Sequence, residues 1–293
     1  MIIALIILIL GSLIVSAIIS PSLYYFLSNY VSGFSFPYSR LFDRVLMVVI
    51  FIFLLILKKH FNIKEAIKKF TEISKKCATK DFFVSFFITL SVCIILTLFL
   101  DMKDRLVWVP KTTSYYVSKI IKAFFAGVLI SVLEESFFRV ILLNAFKKKF
   151  TFLISAILCS FCYMIAHFIA PAKSFTFENL TPYVGFEYYV EVIKTMFFPN
   201  IFCAFIGIFL VGFFLCYIIN KFNSIYINIG IHSGFVMAMK LFIYSTGEAP
   251  NVIMNRMERR YFLVEEPLGW LAIGLVYILI TIVFSRSASH NAK

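Results

Sequence analysis

Long apolar runs separated by short polar or basic stretches account for most of this 293-residue chain. Eight runs approach or exceed the length of about 20 apolar residues that a helix needs to cross a bilayer. They lie at about 2–20, 41–57, 82–100, 114–146, 151–169, 197–219, 224–243 and 268–285. Their apolar residues are continuous rather than alternating, which favours helices over the strands of a membrane barrel. The expected fold is therefore all-α, a polytopic transmembrane bundle of about eight helices.

Three segments beside these runs carry predictions of their own. Pro21 is expected to end the first helix, because proline lacks the backbone N–H that an interior position donates. Residues 58–80 are strongly basic, and their apolar positions from Ile63 to Ile73 recur at helical spacing. This pattern predicts either an amphipathic helix on an anionic membrane surface or a solvated basic linker. Residues 172–196 are rich in Phe, Tyr and Glu, and we expect an amphiphilic loop there.

Composition and charge support a membrane protein. Hydrophobic residues make up 61% of the chain and the mean hydropathy is +0.95, which is far more apolar than a soluble domain. The net charge of +13 does not indicate nucleic acid, because the basic residues cluster between the apolar runs, where they report topology. The expected partners are therefore membrane lipids. The distribution of Lys and Arg favours both termini in the cytoplasm. If the source is bacterial, the expected location is the plasma (inner) membrane.

Candidate chemistry is concentrated between Leu129 and Arg139, where three charged side chains interrupt an apolar helix. A charge at membrane depth costs roughly 2.5–3.5 kcal/mol on insertion scales, so such residues need partners. Glu135 and Arg139 are four residues apart and can form a pair on one helix face. Glu134 projects about 100° away from Glu135 around the helix. One carboxylate can thus be held by the arginine while the other points elsewhere.

Two histidines lie in other apolar runs, His167 in the fifth and His232 in the seventh. Counting back from the turn near Lys148 puts Glu134 about one helical turn from His167. A carboxylate and two imidazoles suit water activation, with Glu134 as general base, His167 holding the water and His232 donating to an oxyanion. Each also has a purely structural reading, since buried ion pairs and interhelical histidine hydrogen bonds both stabilise membrane bundles.

These residues resemble the motifs of one known family. E-E-S-F-F-R at 134–139 fits an E-E-x-x-x-R motif, Y-M-I-A-H at 163–167 resembles F-x-x-x-H, and the segment around His232 resembles a third, histidine-bearing motif. Together they resemble the CPBP family, the CAAX proteases and bacteriocin-processing enzymes, also called Abi. The resemblance covers roughly residues 80–285. It divides the chain into residues 1–80 with two helices and the basic segment, a catalytic bundle at 81–285, and a polar tail at 286–293.

The resemblance implies an intramembrane endopeptidase of the glutamic type that needs no cofactor. Glu134 would activate water with help from His167, His232 would lie in the oxyanion hole, and Glu135 and Arg139 would orient them. The substrate would be a peptide or protein, such as a lipidated C-terminus or a bacteriocin-type peptide. One position departs from the motif, because Val236 stands where many members have an oxyanion-stabilising asparagine. Asn228, one turn before His232 on the same face, could replace that donor.

Two alternatives stay open. Glu134, His167 and His232 form a possible zinc ligand set, which would make the protein a metalloprotease of the same fold, although no H-E-x-x-H pair is present. The chain could also be a catalytically weak or inactive homologue, or a transporter, since charges inside a membrane also line transport paths.

Overall fold

The computed structural model describes residues 2–61, 65, 68, 70–72, 74–101, 107–168, 175–196, 202–247, 263–264 and 267–290. The helices are α1 (Ile2–Ile6), α2 (Ser12–Tyr30), α3 (Tyr38–Phe61), α4 (Lys75–Asp101), α5 (Thr113–Glu135), α6 (Leu143–Lys147), α7 (Phe152–Phe168), α8 (Val184–Met196), α9 (Phe202–Phe222), α10 (Ile225–Ser245) and α11 (Pro267–His290). Two π-helical segments, Ile7–Gly11 and Ser136–Leu142, continue α1 into α2 and α5 into α6. Two short strands, β1 (Val107–Trp108) and β2 (Thr246–Gly247), pair antiparallel. The all-α prediction is confirmed.

Six helical stretches among the described residues are long and apolar enough to cross a membrane. They are Ile3–Tyr30, Lys75–Phe99, Thr113–Lys147, Phe202–Phe222, Ile225–Ser245 and Pro267–Ser285. The predicted number of eight is not confirmed. Helix α3 carries charges near both ends, and its longest uncharged stretch is residues 45–57. Helix α7 is a shorter apolar helix. The protein is a multi-pass membrane protein in which the long apolar helices are the candidate spans.

The prediction that Pro21 ends the first helix is wrong, because α2 continues through it to Tyr30. A proline at position 21 cannot donate to the carbonyl of Ala17, four residues earlier. That carbonyl lies against Gly185 of α8, so closely that a Cβ at this glycine would overlap it. The Ser20 hydroxyl also donates to the Ser16 carbonyl at 2.6 Å, which supports the same turn. The neighbouring helix thus covers the carbonyl that proline leaves without its usual donor.

The loop predicted at residues 172–196 is also wrong in its second half, which forms α8. Val184, Tyr188 and Val192 recur every four residues and are fully buried. Glu191 and Lys194 flank this stripe and form a solvent-exposed pair with Nζ–Oε2 at 3.6 Å. The segment is therefore an amphipathic helix whose apolar stripe the aromatic composition concealed.

The basic segment at 58–80 falls partly outside the described residues. Helix α3 ends at Phe61 and α4 begins at Lys75. The choice between an amphipathic helix and a linker stays a prediction, because residues 62–64, 66–67, 69 and 73 are among those that the structure does not describe.

The chain divides into two compact units, residues 1–63 with 165–199 and residues 64–164 with 200–293. In the first unit α2, α3 and α8 enclose a core rich in aromatic side chains, including Tyr38, Phe42 and Tyr188.

In the second unit α10 packs along both α4 and α5. The approach of α10 to α4 is close because Gly230 has no Cβ, which would collide with the Phe82 carbonyl and the Ser85 hydroxyl. This packing buries much of α10 and carries His232 and Asn228 into the interior beside α5.

Candidate active site

The two adjacent glutamates stand at a change in helix type. Helix α5 ends at Glu135, and residues Ser136–Leu142 continue as a π-helix. Its widened turn is seen at Leu143, whose N–H donates to the carbonyl of Phe138, five residues earlier. The Cys159 thiol from α7 donates to the same carbonyl at 3.1 Å. π-Bulges of this kind occur frequently at functional sites, and the periodicity of the apolar residues did not predict one here.

Glu135 is fully buried and is held by three side chains. Its Oε2 atom lies 3.3 Å from the Arg139 Nε atom, so the predicted i,i+4 pair is present. The Asn228 amide donates to the same oxygen at 3.0 Å. The other oxygen, Oε1, lies 2.9 Å from His232 Nδ1. A carboxylate beside a permanently charged guanidinium is an acceptor only, so Glu135 fixes the orientation of the groups around it.

Arg139 is as fully buried as the carboxylate that it pairs with. Its Nη2 atom donates to the carbonyl of Gly212 on α9 at 3.5 Å. Its guanidinium carbon lies 4.4 Å from the centre of the Tyr163 ring, close enough for a cation–π contact. Arg139 therefore ties together side chains or backbone from α5, α7 and α9.

Asn228 supports Glu135 from α10. Besides the bond to Glu135, its amide nitrogen donates to the Leu215 carbonyl at 2.8 Å. An amide NH₂ has two hydrogens, and both are used in these bonds. Asn228 therefore holds the buried carboxylate in place, and in this arrangement it has no further hydrogen to offer an oxyanion in place of Val236.

His232 links the buried carboxylate to the second one. Because Glu135 only accepts, the Nδ1 atom of His232 carries the hydrogen of the 2.9 Å bond between them. The Nε2 atom then faces the Glu134 Oε2 atom at 3.7 Å and the Tyr163 hydroxyl at 3.4 Å. The bond at one ring nitrogen thus decides which protonation states the other can take.

Glu134 and Glu135 have different surroundings although they are neighbours in sequence. The side chain of Glu135 has no exposed surface, whereas that of Glu134 is 30% exposed. This difference follows from the rotation of about 100° per residue along a helix. Glu135 is thus fully buried, whereas the Glu134 side chain is partly exposed, although its Oε2 atom, which faces His232, is buried.

The remaining predicted residues lie on the helices that were expected. His167 occupies the last turn of α7, four residues after Tyr163, in the part of that helix that groups with the first compact unit. Val236 is half-buried on α10, one turn after His232. Tyr163 was not predicted to take part in the site. The signal that could have indicated it is the substitution of tyrosine for phenylalanine at the first position of the F-x-x-x-H motif, which adds a hydroxyl there.

Comparison with known families places this site in context. Residues 116–238 match the Rce1-like family. That family is described as type II CAAX prenyl endopeptidase Rce1-like, and the match covers less than half of the 293 residues. It confirms the resemblance to the CAAX proteases that the three motifs indicated, and the matched segment includes both glutamates and both histidines. Comparison with curated proteins and with solved structures found no match.

The Rce1-like match supports a CAAX-type endopeptidase that is embedded in the membrane and acts on a peptide or protein. Within the matched segment, Glu135 and His232 form a buried Glu–His pair, and Glu134 lies beside that pair.

Proposed function

We propose that this protein is an intramembrane endopeptidase of the glutamic type, in which Glu134 activates the attacking water. The observation that carries the proposal is the unequal treatment of the two adjacent carboxylates. Glu135 is occupied by contacts to Arg139, Asn228 and His232. Glu134 is partly exposed and borders the Nε2 edge of the His232 ring, which is the position that a general base requires.

These positions support the following reaction. Glu134 takes a proton from water as the oxygen attacks the scissile carbonyl carbon, which gives a tetrahedral intermediate with a negative oxygen. The same proton then passes to the leaving nitrogen as the C–N bond breaks, and a free amine and a carboxylic acid result, after which the acid releases its own proton to the amine or to water. His167 is proposed to hold the water or share its proton, because it projects from the end of α7 in the same helical register as Tyr163.

His232 is proposed to stabilise the oxyanion through Nε2. Since Nδ1 already donates to Glu135, an Nε2–H bond to the oxyanion requires the doubly protonated ring. Glu135, which pairs with Arg139, holds Nδ1 and so fixes the ring with Nε2 on the side of Glu134. Removing one oxyanion donor from a soluble protease costs roughly 2.7–4 kcal/mol of transition-state stabilisation, so we expect a comparable loss for His232→Ala.

The Rce1-like match supports a proposal for the substrate class. We propose cleavage near a prenylated C-terminus of the CAAX type, with the lipid in the bilayer and the peptide at the Glu134 side of the site. A bacteriocin-type peptide without a prenyl group is the alternative substrate.

The test compares three purified proteins: the wild type, Glu134→Gln and Glu191→Gln. The probes are a fluorescence-quenched peptide that ends in a farnesylated Cys-aliphatic-aliphatic-Met sequence and the same peptide without the farnesyl group. Glu191 is an exposed carboxylate on α8 that pairs only with a surface lysine in the described contacts, so its variant controls for the chemical change itself. We expect cleavage by the wild type and Glu191→Gln, and none by a folded Glu134→Gln. Equal cleavage by all three would refute the assignment of the base.

A zinc-dependent form of the same reaction is the second candidate. Two of its three predicted ligands, Glu134 and His232, approach each other to 3.7 Å, which is compatible with a shared ion. The same assay with and without a zinc chelator separates the two mechanisms. The glutamic mechanism predicts unchanged turnover, while loss of turnover that added zinc restores would establish the metalloprotease.

A further inference from the structure

The first turns of α4 carry an open groove that combines positive charge with apolar surface. Its volume is about 510 Å³, and it is lined by Lys75, Lys76, Thr79, Lys80, Phe83 and Val84. These residues fall on one side of the helix, because positions four apart share a face. Lys75 and Lys76 are exposed, so their ammonium groups can be reached from outside the protein.

The first two lysines of the groove form no ion pair with a carboxylate among the described residues. Glu72, which precedes them in sequence, lies 3.8 Å from Lys68. The Asp81 carboxylate, which follows the groove lysines, accepts a hydrogen bond from the Ser224 hydroxyl at 2.9 Å. Positive charge therefore remains on this face of α4, and an anionic ligand would complement it.

An anion at this place would be held by the lysine side chains rather than by the start of the helix. The Ser74 hydroxyl oxygen already accepts a bond from the Cys77 N–H at 3.3 Å. The Thr79 hydroxyl donates to the Lys75 carbonyl at 2.9 Å. These two donors are thus in use, and the ammonium groups are the charged donors of the groove.

The same face becomes apolar within one helical turn. Phe83 and Phe87 are 41% and 56% exposed, and their rings stack with centroids 6.2 Å apart. Their neighbours Phe82 and Phe86 instead belong to the cluster that packs around Met237 of α10. The outward aromatic rings are therefore not needed for the contact between α4 and α10.

The spacing between charge and apolar surface matches the depth of a lipid headgroup. At 1.5 Å per residue, Phe83 lies about 4.5 Å along the helix axis from Lys80 and about 12 Å from Lys75. One headgroup layer of a bilayer is roughly 5–8 Å thick. The lysines therefore reach the headgroups when Phe83 and Phe87 lie in the hydrocarbon. The expected orientation puts this end of α4 in the cytoplasmic leaflet, whose surface is negatively charged.

We propose that this face of α4 binds one anionic phospholipid of the surrounding bilayer. Lys75 and Lys76 hold its phosphate, Lys80 lies at the lower edge of the headgroup, and an acyl chain runs along Phe83 and Phe87. Phosphatidylglycerol has a net negative charge that complements the lysines, whereas the choline of phosphatidylcholine cancels the charge of its phosphate. The site uses none of the candidate active-site residues, so it goes beyond the proposed endopeptidase function and does not depend on it.

The test is native mass spectrometry of the purified protein in a neutral detergent, with dioleoyl-phosphatidylglycerol and dioleoyl-phosphatidylcholine as probes. We expect the wild type to bind one phosphatidylglycerol in preference to phosphatidylcholine. Lys75→Gln/Lys76→Gln should weaken that binding by about 25-fold, because each lysine near an anionic lipid contributes about 5-fold to the binding constant. Lys75→Arg/Lys76→Arg keeps both charges and should stay within about 3-fold of the wild type.

Lys148→Gln/Lys149→Gln is the matched control. These two lysines are also adjacent and exposed, so the variant removes the same charge and leaves the groove intact. Its affinity for phosphatidylglycerol should stay within about 3-fold of the wild type. An equal loss in both glutamine variants would mean that the lipid responds only to net charge, and would overturn the inference. Wild-type affinity in Lys75→Gln/Lys76→Gln would overturn it as well.

Two measurements on the wild type need no variant and decide the matter if Lys75→Gln/Lys76→Gln does not fold. Raising ammonium acetate from about 0.1 M to about 1 M shortens the screening length from about 10 Å to about 3 Å, so the affinity for phosphatidylglycerol should fall to that for phosphatidylcholine. A preference that salt leaves unchanged overturns the inference. Displacement of the lipid by an equal concentration of glycerol phosphate or of a poly-glutamate peptide would assign the groove to a soluble anion or an acidic protein, and would also overturn it.

Discussion

The buried pair of Glu135 and Arg139 allows the energetic and the catalytic roles of one contact to be separated. Neither side chain has exposed surface, and the two lie 3.3 Å apart. Removing one partner of such a pair leaves an uncompensated buried charge and typically costs about 3–5 kcal/mol of stability. We therefore expect Glu135→Gln and Arg139→Met each to destabilise the protein by about that amount.

The double variant Glu135→Gln/Arg139→Met should behave differently, because it removes both charges together. It still loses the bond from Arg139 to the Gly212 carbonyl and the contact with the Tyr163 ring. A net hydrogen bond contributes about 1 kcal/mol and a buried cation–π contact about 1–2 kcal/mol. The expected cost of the double variant is thus about 2–3 kcal/mol, well below the sum of the two single costs.

The measurement is equilibrium unfolding of the four proteins in one detergent, with peptide cleavage measured in parallel. The double variant should regain stability but remain inactive, because a neutral amide at position 135 holds the His232 ring less firmly than the carboxylate does. A double variant whose destabilisation equals the sum of the singles would show no coupling between the two sites. That result would refute the view that each charge stabilises the other in the folded protein.

Three further predictions concern packing, topology and the support of the site. Gly185→Ala should destabilise the protein by about 1–3 kcal/mol because its Cβ meets the Ala17 carbonyl; Gly274→Ala, with open space around it, should be neutral in the same thermal unfolding assay. Cys77 is exposed within the basic segment at 58–80, so a membrane-impermeant maleimide should label it only after intact cells are permeabilised, and labelling without permeabilisation would reverse the expected orientation. Asn228→Ala should lower the free energy of unfolding by about 1–3 kcal/mol, because the buried Glu135 carboxylate and the Leu215 carbonyl both lose their donor. Equilibrium unfolding that shows no change would mean that these two bonds do not stabilise the protein.

The sequence was sufficient for the parts of the site that depend on position along a single helix. Glu135 and Arg139 were predicted to pair because residues four apart share a face, and the structure contains that pair. The separation of Glu134 from Glu135 followed from the same geometry. Such local relations need no knowledge of the neighbouring helices.

Contacts between helices were out of reach for the same reason. The bonds of Asn228 to Glu135 and Leu215 join α10 to α5 and α9, and no spacing along one helix encodes them. The continuation of α2 through Pro21 depends on Gly185, which is distant in sequence but covers the Ala17 carbonyl. In both cases the structure depends on a contact with another helix, which local sequence propensity does not describe.

The charges of the site explain why two carboxylates stand side by side in a membrane helix. Glu134, Glu135 and Arg139 leave one negative charge when His232 is neutral. Of the two carboxylates, only the one that the guanidinium balances is fully buried, whereas the Glu134 side chain is 30% exposed. A base that must stay ionised at membrane depth needs contact with water, because desolvation favours its neutral form. A single carboxylate could not both anchor His232 in the interior and remain wet enough to take a proton, so the reaction that we propose requires the pair.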